Sequence, residues 1–147
     1  MRTMLAALIL SIGACSEGTD GAQDPGKTWR FAIAHHDCAP WDGAAVGIEL
    51  SDIDPNPLSP PYLRLSAYVP MPTEKVRAQI GVNGAGGMGA GFCEAGKDCV
   101  GADSGWMELA PANEGLGGRY DILLHDGRHL TGTFQAKVVS IRQVLCG

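Results

Sequence analysis

From residue 29 onward, apolar side chains recur at alternate positions in short runs, and Gly, Pro, Asn and Asp break each run. Alternation with a period of two is the mark of a strand that buries one face. No stretch there keeps apolar residues at helical spacing for three turns, so the pattern predicts an all-β domain. The candidate strands are 29–35, 45–50, 63–69, 76–82, 89–93, 105–109, 118–125 and 129–139, with 141–145 closing the chain. About eight short antiparallel strands at this spacing predict a β-sandwich or a small barrel. On this pattern Trp29 and Trp106 fall at core positions.

The clearest hairpin turns at Asp126-Gly127, a strong turn signal between alternating runs. One register pairs Leu124 with His129. Another, with three loop residues and a bulge, pairs Leu124 with Leu130, Ile122 with Gly132 and Tyr120 with Phe134. A slip of one residue sends every side chain to the opposite face, and the second register is preferred because it buries Tyr120 and Phe134 together.

The run from Met4 to Ile12 is too short to span a bilayer, which takes about 20 apolar residues. Behind a lone Arg2 and ahead of Ile12-Gly-Ala-Cys15, it has the basic, apolar and small-residue parts of an export signal. These residues resemble a bacterial lipobox. The resemblance implies a signal peptide at 1–14, a lipid on Cys15, a flexible tether over 15–28 and one β domain over 29–147. Ser16 after the cysteine is similar to the pattern for outer-membrane delivery, so the implied location is the cell envelope. The implied partner is the membrane, through the N-terminal lipid.

Removal of residues 1–14 takes away Arg2 and moves the formal charge from −5 to −6. An acidic chain without a basic stripe excludes nucleic acid as a natural partner. With Cys15 assigned to lipid, Cys38, Cys93, Cys99 and Cys146 remain, an even set for an oxidising compartment. Of three connectivities, Cys38–Cys146 with Cys93–Cys99 is favoured, the first tying an early strand to the end of the chain and the second bracketing a turn.

Several short motifs point to chemistry. The Gly84-Ala-Gly-Gly-Met-Gly89 run has the spacing of a dinucleotide-binding loop but lacks the following helix, and reads as a surface loop. The stretches 33–38 and 102–105 faintly resemble the histidine and serine segments of trypsin-like proteases. Asp37 after His36 and Ala102 before Asp103-Ser104 depart from that pattern, and proteolysis is rejected. Asp52, Asp54 and Asn56 space oxygen ligands like the opening of a calcium loop, although Pro57 and Leu63 replace the turn glycine and bidentate glutamate. Residues 59–65 look weakly like a segment of the calcium-dependent phospholipid-binding β-sandwich module, with Pro60 in place of its aspartate ligand. The histidines form two sequence pairs, His35/His36 and His125/His129. Adjacent His35 and His36 point to opposite faces of a strand, whereas the preferred hairpin register sets His125 and His129 together as a candidate metal pair. Trp41, in the turn after Cys38, is a candidate contact for a sugar or a protein.

No nucleophile, base and orienting group come together in the sequence, and no cofactor is implied beyond possible calcium. The leading expectation is a non-catalytic, lipid-anchored envelope lipoprotein that binds a protein or glycan through its loops. The alternative is a calcium- or metal-dependent binding module or hydrolase built on Asp52/Asp54 or the histidine pairs.

Overall fold

A computed structural model describes residues 26–54, 59–140 and 146. Cys15, Asn56, and the strand expected at 141–145 lie outside the described residues. The described strands are β1 (Lys27–Thr28), β2 (Phe31–Cys38), β3 (Ala44–Ser51), β4 (Tyr62–Ala67), β5 (Val76–Gln79), β6 (Met88–Cys93), β7 (Val100–Ala112), β8 (Gly115–Leu124) and β9 (His129–Val138). The all-β expectation holds, and of its two forms the barrel is the one found.

Seven strands close into a ring in the order β2, β3, β4, β6, β7, β8, β9. A ring with an odd number of strands cannot alternate direction all the way round. One seam must be parallel, and it falls where β9 meets β2, at Ile33↔Lys137 and Ala34↔Val138. The two strands outside the ring lie beside long neighbours. β1 runs parallel to β9 at Lys27↔Gly132 and Thr28↔Thr133, so residues 27 and 28, expected within the tether, pair with the barrel. β7 is long enough to serve two partners in succession, β6 at Gly101 and β5 from Trp106 to Leu109.

Alternation does the packing. Ile48 and Leu50 of β3, Leu63 and Leu65 of β4, and Ile122 and Leu124 of β8 all point inward and are fully buried. Trp29 turns in where the chain breaks between β1 and β2, and its Nε1 donates to the Tyr120 hydroxyl at 2.8 Å. Trp106 corrects the core expectation. A bulge between Ala102 and Ser104 shifts the phase of β7, so Met107 faces in and Trp106 faces out, half-buried.

The β8–β9 hairpin also differs from the preferred register. The Gly127 N–H donates to Leu124 O and the Leu124 N–H to Arg128 O, leaving a three-residue loop with Gly127 at φ 84°. Ile122 then pairs with Leu130, Tyr120 with Gly132 and Gly118 with Phe134. The displacement is two residues, so Tyr120 and Phe134 keep their inward face and are both buried. Each ring lies over a glycine across the ladder instead of over the other ring, because a Cβ at Gly118 or Gly132 would strike the ring opposite.

Both disulfides form as favoured, Cys38–Cys146 with Cα atoms 5.6 Å apart and Cys93–Cys99 with Cα atoms 4.1 Å apart.

Candidate functional site

The strand directions sort the loops into two ends of the barrel, separated by the length of β3, roughly 25 Å at about 3.3 Å per residue. At one end lie the turn 39–43, the excursion 68–87 and the turn 113–114. At the other lie 52–54, 59–61, 94–99, 125–128 and the entering chain from Gly26 to Arg30.

At the first end the chain gathers apolar surface in the open. Trp41 is 46% exposed and meets Tyr68 edge to face, with ring centroids 5.0 Å apart. The local backbone explains its position. The Asp42 N–H donates to Ala39 O at 3.0 Å, the Ala39 N–H donates to Gly43 O at 2.7 Å, and Asp42 takes φ 63°, which makes a tight turn presenting residue 41. The indole lies against Gly43, where a Cβ would collide with it. Tyr68 joins this turn to the glycine-rich loop, since its N–H donates to Gly87 O at 2.8 Å and its ring covers Gly87 and Gly89. Val82, 42% exposed, has its carbonyl against Gly87 on the same loop. Trp41, Tyr68 and Val82 thus border a glycine-lined rim. Trp41 was legible from sequence, whereas Tyr68 was not, because the pairing of β3 with β4 sets residue 68 beside the 39–43 turn, and Val82 joins the rim only through its carbonyl at Gly87.

The acidic loop lies at the opposite end. Asp52 is held by Lys27 at 2.7 Å and accepts from the Arg30 N–H, and the Lys27 ammonium keeps its pKa below the usual carboxylate range. A calcium ion there would have to displace Lys27. Asp54 borders residues 55–58, and Asn56 is outside the described residues. The expected histidine pair is not assembled. His129 stands opposite Leu123, with Nε2 2.7 Å from Asp121 Oδ1, while His125 in the loop pairs with Asp103. Among the described residues no three His, Cys, Asp or Glu side chains gather as a metal site requires.

His35 and His36 do point to opposite sides, with His36 exposed and His35 buried over Gly47. His35 Nδ1 lies 3.1 Å from His36 O. Its Nε2 has no hydrogen bond and lies 3.5 Å from Glu49 Oε1, and that carboxylate raises the imidazole pKa against the lowering effect of burial.

On the outer face of β5, β7 and β8, Glu108 takes Lys75 at 2.8 Å, Arg77 at 3.3 Å and Arg119 at 2.8 Å. Hydrogen bonds from Arg119 and Lys75 lower its pKa to about 2. Both guanidiniums also lie over the Trp106 ring, at 4.2 and 5.3 Å from its centroid. This network is read as structural, since each cation is tied to one central carboxylate.

The class that these features define is a closed seven-stranded β-barrel, disulfide-linked, with an exposed aromatic rim. No family model, curated protein or solved structure matches the chain.

Proposed function

We propose that this chain is a lipid-anchored lipoprotein of the cell envelope whose barrel is non-catalytic and binds a glycan through the rim formed by Trp41, Tyr68 and the glycine-rich loop. The observation that carries the reading is the exposed indole fixed on a tight turn. A flat aromatic surface held in place loses little entropy on contact, and stacking on a sugar ring uses its amphipathic character. Gly84, Gly86 and Gly87 put no side chains in the way; the Gly86 and Gly87 N–H groups donate to Tyr68 O and Gly84 O, and the loop carbonyls keep a second lone pair that a sugar hydroxyl can reach. The anchor at Cys15 and delivery to the outer membrane follow from the lipobox alone.

The test is an array of neutral and N-acetylated oligosaccharides probed with the purified protein. Binding that Trp41→Ala abolishes and Trp106→Phe preserves is the expected result. A protein that binds no saccharide, or binds equally well as Trp41→Ala, overturns the glycan reading and turns attention to a protein partner at the same rim. The anchor is tested separately by mass spectrometry of the N-terminal peptide, where an unmodified Cys15 in the mature protein would falsify it.

A further inference from the structure

At the end of the barrel opposite the Trp41 rim, a cleft of about 550 Å³ opens between the entering chain and the β8–β9 hairpin, bordered by Lys27, Trp29, Phe92, Tyr120, Arg128 and Thr131, among others. We propose that this cleft is a second binding site, for a small flat ring that carries a carboxylate or an equivalent anionic group. The proposal is independent of the glycan reading and uses none of its residues.

The selectivity follows from which donors are already engaged. Arg128 lies over the Phe92 ring, 4.9 Å from its centroid. Its Nε donates to Asp126 at 2.7 Å, Nη2 lies 2.7 Å from the same carboxylate, and Nη1 lies 3.5 Å from Glu94. Each guanidinium nitrogen therefore has a carboxylate partner, leaving one N–H on each terminal nitrogen, and one face rests on Phe92. What remains for a ligand is those two N–H groups and the other face, which stacks on flat π-systems.

Next to Phe92, with ring centroids 6.5 Å apart, lies Trp29; Lys27 sits 3.8 Å above it and holds Asp52, using one of its three N–H groups. Below it Tyr120 is almost fully buried. Its oxygen accepts from the Trp29 N–H, so its own proton is available to donate, and burial raises its pKa and keeps it a neutral phenol. Thr131 also borders the cleft. Glu94 also borders the cleft, but its carboxylate is shared between Lys97 at 3.1 Å and Arg128. His129, paired with Asp121 at 2.7 Å, lines the cleft as well, so the donors left for an acceptor-rich anionic group are the remaining Lys27 N–H groups and the Tyr120 hydroxyl. A ring stacked on Arg128 would present that group toward Lys27 and Tyr120.

The probe is 8-anilinonaphthalene-1-sulfonate, a flat aromatic anion whose emission rises in an apolar site, titrated into the folded, disulfide-bonded protein. Saturable one-to-one binding is expected, with displacement by naphthalene-2-carboxylate but not by neutral 2-naphthol at the same concentration. Lys27→Met is expected to weaken binding about tenfold, the value of one charge-assisted hydrogen bond, and Tyr120→Phe to weaken it less while leaving the ring in place. Trp41→Ala should leave it unchanged. If Lys27→Met disturbs the fold by freeing Asp52, Lys27→Met/Asp52→Leu removes both charges and tests the same point. Binding at full strength in the Lys27 variants, equal displacement by the neutral naphthol, or loss in Trp41→Ala each overturns the proposal, as does no saturable binding.

Discussion

Two buried or half-buried ion pairs on the outer wall make stability depend on pH in opposite directions. His35 has a raised pKa because the Glu49 carboxylate favours the imidazolium. Its contribution is fully present below the unfolded value near 6.5 and is lost as pH rises through the folded pKa. Glu108 has its pKa lowered to about 2 by Arg119 and Lys75, so its contribution is present above the unfolded value near 4.5 and is lost as pH falls toward about 2. Stability of the whole protein should therefore include a limb that declines as pH rises past 6.5 through the folded His35 pKa and another that declines in acid. Glu49→Gln is expected to flatten the alkaline-side decline and to drop the His35 imidazole in an NMR titration, whereas Glu108→Gln should flatten only the acid limb. An unchanged profile in Glu49→Gln would show that the 3.5 Å contact is incidental. His35 was legible as a strand residue facing away from His36, but its partner was not, because Glu49 reaches it only through the β2–β3 register.

At the scale of elements, the β8–β9 hairpin shows what an alternating pattern can and cannot specify. The pattern assigns faces, and a two-residue error preserves them, so the buried set of Tyr120, Ile122, Leu124 and Phe134 is readable without the exact pairing. Pairing depends on volume across the ladder, where an aromatic ring opposite a glycine fits and two aromatic rings opposite each other compete for one space. Gly118 and Gly117 separate these ideas. A Cβ at Gly118 meets the Phe134 ring and the Glu108 carbonyl, while at Gly117 it meets only the flexible amide of Gln135. Gly118→Ala should cost about 1–3 kcal/mol by overpacking, and Gly117→Ala well under 1 kcal/mol, as measured by denaturant unfolding. Equal costs would mean that the glycine–aromatic pairing does not set the register. Trp106 makes the complementary point. A single bulge reverses the phase of half a strand, and nothing local in Ala102-Asp-Ser-Gly105 distinguishes a bulge from continuous alternation.

For the whole molecule, ring closure is the step that a list of strands does not contain. Seven strands can form an open sheet or a barrel, and what closes this one is the parallel contact of β2 with β9, assisted by β1, Trp29 and the Cys38–Cys146 bond. That disulfide spans 108 positions and joins the end of β2 to residue 146, beyond β9, whereas Cys93–Cys99 spans six and staples only the β6–β7 connection. In the chain-entropy account, the long loop is worth nearly 5 kcal/mol and the short one about 2–2.5 kcal/mol, because cross-linking distant residues removes more freedom from the unfolded chain. The long bond also anchors the end of β2, whose ladder with β9 has only two paired positions, as short as that of β6 with β7, so its loss loosens the native state at the point of closure as well. Cys38→Ser/Cys146→Ser should therefore lose at least twice the stability of Cys93→Ser/Cys99→Ser in guanidinium unfolding. Its denaturant dependence should also steepen, because the unfolded chain, no longer looped, exposes more surface. Amides of β2 that face β9 should lose exchange protection in this variant before those that face β3. Equal losses for the two pairs would mean that the seam holds without the disulfide, and that Trp29 and the β1–β9 contact suffice to close the barrel.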